Sequence, residues 1–358
     1  MKRNSIDKQS IEGDPMFKDI TIQELRSMTD NDHTIVDVRS PKEYQEATIP
    51  GSVNIPVFTN AERAEIGTLY KQVSADAAKE RGLQIFSQKL PAFIKEFQAI
   101  ETPITLFCWR GGMRSKAAAT TLSLMDVHVN RLQGGIRSYR QWVVSELEKE
   151  HFPPTLYVLE GYTGTGKTVI LEKLAADGYP VINLEKLAGH RGSIFGQIGM
   201  HPNNQKTFDA LLVEDFMQYT NEPFVFIEGE SKRIGKVIIP EFLYRKKEHG
   251  VYFMIHMPME ERINNILREY HPEDYPEKFI ESFQYVKKRI HTPIAKQIET
   301  DLKDGAYASA IQRLLENYYD PMYDHANKSH VNNTKEIIYA TTIADAYKQI
   351  KDILQQAN

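Results

Sequence analysis

The sequence predicts an α/β protein: a parallel-sheet domain, then a second α/β domain, then a helical C-terminal region. Three observations carry this. From Phe17 onward, short apolar runs alternate with helix-length stretches, the pattern of strands joined by helical crossovers. Two of these runs, 104–107 and 155–160, end in glycine-rich loops that lead straight into helix-forming sequence. Between them, Glu148-Lys149-Glu150-His151-Phe152-Pro153-Pro154 is charged and then proline-stiffened, as linkers are.

The elements follow in order. Residues 1–16 are polar and without periodicity, a leader expected to be disordered, with Met16 a second candidate start. The first domain is expected over 17–147, the linker over 148–154, the second α/β domain over 155–258 and the helical region over 259–358. Ile20-Thr21-Ile22 leads into a short helix, and Thr34-Ile35-Val36-Asp37-Val38 reads as a buried strand running into Arg39. Ile49-Pro50-Gly51-Ser52 is turn chemistry. Residues 60–100 read as largely helical, 104–107 and 127–132 as strands with a helix to about Met125 between them. Gln133-Gly134-Gly135-Ile136 then turns the chain into a helix around Trp142. In the second half, strands are expected at 155–160, 180–182, 224–227 and 251–255, a helix at 168–177 with Gly178 as its C-cap, and mainly helix from Glu260.

The bulk properties exclude several classes. A chain of 358 residues calls for more than one core, and 41% hydrophobic with 26% charged residues is a soluble globular composition. No apolar run approaches the roughly 20 residues that span a bilayer, and the polar start is no secretory signal. One cysteine excludes an internal disulfide and fits a reducing cytoplasm. A net charge of −4 advertises no polyanionic partner, so nucleic-acid contact would rest on local clusters such as Lys232-Arg233, Arg245-Lys246-Lys247 and Lys287-Lys288-Arg289. The same clusters also read as solvated helix faces.

The single cysteine heads Cys108-Trp109-Arg110-Gly111-Gly112-Met113-Arg114-Ser115, directly after a strand and before Lys116-Ala117-Ala118-Ala119. Converging N–H groups in such a loop, with a helix N-terminus behind them, favour anions and a thiolate at Cys108. Arg110, Gly111 and Gly112 would line the cradle, and the planar fork of Arg114 would close it on an oxyanion. A buried structural cysteine is the alternative; it leaves two glycines and two arginines without a use.

Gly161-Tyr162-Thr163-Gly164-Thr165-Gly166-Lys167-Thr168 fits G-x-x-x-x-G-K-[ST] between a strand and a helix. Gly161, Gly164 and Gly166 let backbone N–H groups wrap a diphosphate, Lys167 neutralises its terminal oxygens, and the Thr168 hydroxyl is placed for Mg²⁺. An acid should end a nearby strand, and Glu228 does so, holding the metal directly or through water with help from Glu230 or Ser231. Ordinary surface charge is the alternative. His190-Arg191-Gly192-Ser193 lacks zinc-site spacing; it reads as a loop closing over the diphosphate with Arg191 as clamp, or as a plain loop. Tyr318-Tyr319-Asp320-Pro321-Met322-Tyr323 reads as helix packing or as a base-stacking platform.

Residues 17–147 resemble a rhodanese (sulfurtransferase) domain on Asp37-Val38-Arg39-Ser40-Pro41, Glu43-Tyr44, residues 49–56, the Cys108 loop and Leu132-Gln133-Gly134-Gly135. Cys108 to Arg114 is C-x5-R, one residue longer than the common sulfurtransferase cradle, which implies room for more than a sulfane sulfur. Fused to a P-loop NTPase-like α/β domain, and with Gly67-Thr68-Leu69-Tyr70-Lys71-Gln72, His190-Arg191-Gly192-Ser193 and 228–235, the chain resembles the bacterial tRNA 2-selenouridine synthase family. The resemblance implies a cytoplasmic transferase that replaces sulfur by selenium in the wobble 2-thiouridine of tRNA. It implies S-geranylation with geranyl diphosphate held by the P-loop with Mg²⁺, then selenation with selenophosphate at the Cys108 loop. It also implies contact with a selenophosphate-producing enzyme.

The alternative is an ATP-dependent tRNA sulfurtransferase working through a Cys108 persulfide. A phosphatase is disfavoured because Phe107 stands where tyrosine phosphatases have His, and a non-catalytic nucleotide sensor because Cys108, Lys167 and Thr168 are intact.

Overall fold

The computed structural model describes residues 16–28, 33–326 and 335–357. Of the leader expected to be disordered over 1–16, residues 1–15 lie outside those described and Met16 is an exposed residue just before the first strand. The chain divides into two compact units after Ser145.

The first unit is a five-stranded sheet of β1 (Lys18–Ile20), β2 (Thr34–Asp37), β3 (Val53–Asn54), β4 (Ile104–Phe107) and β5 (Val129–Leu132), ordered β1-β5-β4-β2-β3. All neighbours pair in parallel. β4 is buried at every position, as a central parallel strand covered on both faces must be, so Cys108 leaves the middle of the sheet. Helix Met113–Ser123 packs closely because Ala118 and Ala119 are wholly buried.

The motif around Asp37 is structural. Arg39 and Asp37 form a buried ion pair, Nη2 to Oδ2 at 2.6 Å, and Arg39 Nη2 also donates to the Ala47 carbonyl at 2.6 Å. Thr48 donates to Asp37 at 2.9 Å, while Asn54 donates to the carbonyls of Asp37 and Arg39 at 2.7 and 2.9 Å. The stretch 60–100 resolves into two helices, Asn60–Gln72 and Ala75–Gln98, N-capped by Thr59 and Ser74.

The second unit contains β6 (Thr155–Gly161), β7 (Val181–Ile182), β8 (Phe224–Glu228), β9 (Arg233–Ile234), β10 (Val237–Ile238), β11 (Val251–His256) and β12 (Lys335–Tyr339). Five of them form a parallel sheet, β12-β11-β6-β8-β7, and β9 with β10 makes a small antiparallel pair. β6 lies between β8 and β11, so connections leave it to both sides. The ligand crevice of an open parallel sheet opens there, beyond the carboxyl ends of the strands.

Residues 259–326 are mainly helical and close around Phe279, Phe283, Ile298 and Leu314. The chain then returns to the sheet. β12 pairs with β11, and helix Ile343–Ala357 packs Ala346, Ile350 and Leu354 against Ile170, Leu171 and Leu174. A domain border at 258 therefore cuts through this sheet. β12 escaped the periodicity because only Ile338 of its residues is buried. Among the described residues no helix is long and apolar enough to cross a membrane.

Candidate functional site

Two loops carry the candidate chemistry, one in each unit. In the first, Cys108 is buried with Sγ 3.1 Å from the Ser115 hydroxyl, which also lies 3.2 Å from the Gly112 carbonyl. The turn after β5 holds the loop from below. Ile136 N–H donates to the Cys108 carbonyl at 2.9 Å and Arg137 N–H to that of Trp109 at 3.2 Å. Gly135 has φ +59°, and a Cβ there would lie 2.2 Å from the Cys108 oxygen, so only glycine permits this approach. Arg131 donates to the Gly111 carbonyl at 3.0 Å while its fork holds Asp19.

Arg110 and Gly112 are exposed at the mouth of the loop. The fork of Arg114 donates to both oxygens of Glu43, at 2.6 and 3.1 Å, and Arg63 approaches the same carboxylate at 3.6 Å. Burial works against the Glu43 charge, but Arg114 overrides it and holds the carboxyl below its usual range. An oxyanion in this loop must share Arg114 with Glu43 or displace it.

The second loop joins β6 to helix Lys167–Ala176. Gly166, at φ +74°, caps that helix in the left-handed region. Lys167 Nζ donates to the Gly161 carbonyl at 2.9 Å and lies 5.9 Å from the ring centre of Tyr323. Helix Met259–Tyr270 braces the loop: Arg262 donates to the Thr163 carbonyl at 2.8 Å and Asn265 to that of Gly164 at 2.9 Å. Asp320 in turn grips Arg262 at 2.6 and 2.9 Å.

These elements enclose a cavity of about 290 Å³ containing Lys167, Thr168, Glu185, Arg191, Glu230 and Lys247 in its wall. Burial works to lower Lys167, yet Tyr323, Glu160, Glu230 and Glu185 together override it and keep it charged. Burial pushes Lys247 down, and its Nζ donates to the Glu230 carbonyl.

Thr168 donates to Glu185 at 2.7 Å. Glu228 lies wholly buried, outside the cavity wall; one oxygen accepts from Leu184 N–H at 2.8 Å and the other has no partner among the described residues. Burial pushes Glu228 up to about 8, and burial with the nearby Glu230 and Glu228 charges pushes Glu185 well up. Among the described residues no three His, Cys, Asp or Glu side chains are grouped to hold a metal. Thr168 and Glu185 are the hard oxygen donors that a divalent cation accompanying a diphosphate would use.

Residues 154–357 match the tRNA 2-selenouridine synthase AAA domain, more than half of the chain, and residues 21–141 match the rhodanese-like domain. The chain belongs to the tRNA 2-selenouridine synthase family. It is 31% identical to the tRNA 2-selenouridine synthase of Sulfurovum sp. (strain NBC37-1), over 84% of this chain and 91% of that one. It is 30% identical to that of Pseudomonas fluorescens (strain Pf0-1), over 85% and 91%, and 28% identical to that of Bdellovibrio bacteriovorus (strain ATCC 15356 / DSM 50701 / NCIMB 9529 / HD100), over 86% and 92%.

In this family member, Arg191 is committed to helix Met259–Tyr270 and to its own loop: Nε meets Glu269 at 3.0 Å, the guanidinium stacks 4.8 Å over Tyr270, and Nη1 donates to the Ile198 carbonyl of the loop at 2.8 Å. Tyr318 and Tyr319 are buried in the helical core, while Tyr319 and Tyr323 also wall the cavity. A π-helical turn at Leu315–Tyr319 sets the register of this segment. Glu160, Glu185, Lys247 and Arg262 are cavity or loop residues that the motifs did not name. Glu160 carried a signal, an acid inside the apolar run of β6.

Proposed function

We propose that this chain converts wobble 2-thiouridine of tRNA to 2-selenouridine in two steps, prenylation from geranyl diphosphate at the P-loop and selenation from selenophosphate at the Cys108 loop. One observation supports a prenyl diphosphate over a nucleotide. The phosphate cavity shares Thr163, Ser193, Ile266, Tyr270 and Tyr319 with a narrow second chamber, whose remaining walls include Phe195, Phe279 and Leu314. That second chamber measures only about 30 Å³, so it would take the first carbons of a hydrocarbon tail and neither a ribose and base nor a whole geranyl chain.

In the first step the thiocarbonyl sulfur attacks C1 of the geranyl chain, the C1–O bond breaks, pyrophosphate leaves with the electron pair, and the N3 proton of the thiouridine passes to solvent. Loop N–H groups, Lys167 and Lys247 stabilise that departing charge. Mg²⁺ bound by Thr168 and Glu185, with Glu228 behind, would add charge neutralisation. Alkylation turns a poor leaving group into one that departs as a thiol. In the second step selenium adds to C2, the C2–S bond breaks, and geranyl thiolate leaves and takes a proton. Water then removes the phosphoryl group from selenium as phosphate. The loop N–H groups and Arg114 hold the oxyanion of the donor beside Cys108.

Mass spectrometry of tRNA nucleosides after geranyl diphosphate, then selenophosphate, tests this. S-geranyl-2-thiouridine followed by 2-selenouridine is expected. Robust tRNA-stimulated ATP turnover, with thiolation and no prenylated nucleoside, overturns it in favour of the ATP-dependent sulfurtransferase.

A further inference from the structure

The first unit contains an apolar groove that the two-step reading leaves unused. It measures about 420 Å³, inside the range of roughly 300–1,000 Å³ typical of small-ligand sites. Helices Asn60–Gln72 and Ala75–Gln98 form two of its walls, and Met113, Arg114 and Ala117, just beyond the Cys108 loop, contribute the third. Phe58, Ile66 and Phe86 lie at its base, while Tyr70, Leu83 and Met113 stand exposed at 66%, 69% and 61%.

Three features tie the groove to an occupant. Gly67 and Gly82 sit inside helices, where glycine is less favourable than alanine, and both line the groove. A Cβ on Gly82 would stand 3.5 Å from Phe58 and 3.8 Å from Ile66, in the space above the base. The groove is also continuous with the loop: Arg63 in its wall and Arg114 both reach Glu43, at 3.6 and 2.6 Å. Finally, Arg63, Lys71 and Lys79 add cations to an otherwise apolar lining. An apolar slot with a cationic fringe suits a hydrocarbon chain attached to a phosphodiester backbone.

We propose that this groove holds the prenyl chain of the S-prenylated thionucleoside while the Cys108 loop acts on it, and of the prenyl thiol as it departs. This rests on the reading that a prenylated tRNA is the substrate of the second step. The groove gives the loop a means of preferring prenylated over unmodified thiouridine, since only the former fills it.

The test uses the full chain and two synthetic anticodon stem-loops, one with S-geranyl- and one with S-methyl-2-thiouridine, in single-turnover selenation with selenophosphate. Wild type is expected to prefer the geranyl substrate at least tenfold in half-saturating concentration. Leu83→Glu, on the exposed lip, and Ala78→Phe, which fills the groove, should each remove that preference and leave the methyl rate unchanged. A photoreactive geranyl analogue on the same sulfur should label peptides within 58–86. If Ala78→Phe does not fold, Leu83→Glu and the labelling still decide.

An unchanged geranyl preference in the folded variants, or labelling confined to residues after 146, overturns the groove assignment while the two-step reading stands. A dimer that Leu83→Glu dissociates, with geranyl preference unaltered, assigns the groove to a second copy and likewise overturns it. Failure of wild type to selenate either S-alkyl substrate overturns the two-step reading itself, and the groove assignment with it.

Discussion

Thr168 donates its hydroxyl proton to Glu185 at 2.7 Å, so the carboxylate nearest the P-loop hydroxyl comes from the segment after β7 and not from the end of β8. If a divalent cation binds here, Glu185 meets it first. Glu185→Gln should therefore weaken Mg²⁺-dependent pyrophosphate binding by about 10- to 100-fold, the range seen when support of a metal ligand is lost. Titration calorimetry with Mg²⁺ and with EDTA measures this. Equal affinities for variant and wild type in Mg²⁺ would remove Glu185 from the site.

Glu228 makes stability depend on pH. Its folded value, about 8, lies above the ordinary carboxyl value of 4.5, so the folded protein binds more protons between those limits. Stability contributed by the protonated form is complete below about 4.5 and is lost as pH rises toward about 8, at up to about 1.4 kcal/mol per pH unit. Glu228→Gln keeps the buried shape without the ionisation. Its melting temperature should fall less than that of wild type from pH 5 to pH 8.5, and parallel curves would show that Glu228 does not titrate there.

The contrast between Glu185 and Glu228 explains how far the sequence could be read. The two loops were legible because their chemistry is local: consecutive N–H groups, a strand before and a helix after. Glu185, Lys247 and Arg262 reach the P-loop from separate elements, and an acid after a short strand does not announce which neighbour it will face. Arg114 was legible as a fork, but its partner Glu43 lies 71 residues earlier and only the fold brings it there. β12 was hidden for another reason: its apolar run, Ile337-Ile338-Tyr339, is short, and at the sheet edge only Ile338 is buried, so neither length nor alternation sets it apart from the helical sequence around it.

The Asp37–Arg39 pair is buried on both sides, so removing one partner strands a charge. Asp37→Asn should destabilise the first unit by about 3–5 kcal/mol. Differential scanning calorimetry should show an early transition for that unit, with pyrophosphate binding to the second unit retained. A single unshifted transition would make the pair dispensable.

Glu43 joins the Arg114 fork to the capping box of its own helix, with Ser40 N–H donating to it at 3.2 Å. Glu43→Ala frees the fork and removes its orientation. Selenophosphate-dependent selenation of prenylated tRNA should fall about tenfold or more, and prenylation should be untouched. If selenation rises instead, Glu43 competes with the donor for Arg114 and does not position it.

The two-loop division predicts a clean separation of steps. Cys108 sits on Ser115 within the first unit, and Lys167 sits across Gly161 within the second. Cys108→Ala should leave S-geranylation of thiouridine tRNA intact and stop selenium incorporation, because the proposed second step holds the selenium donor against the Cys108 thiol. Lys167→Ala removes the charge facing the departing pyrophosphate and should lower geranylation by about 10²-fold or more, the usual scale for losing one stabiliser of developing negative charge. Supplying pre-geranylated tRNA to Lys167→Ala should restore selenation, since the proposed second step makes no use of the P-loop. Nucleoside mass spectrometry follows both steps in one reaction. Normal selenouridine from Cys108→Ala would make the cysteine structural, and failed rescue of Lys167→Ala would mean that the loops act as one site.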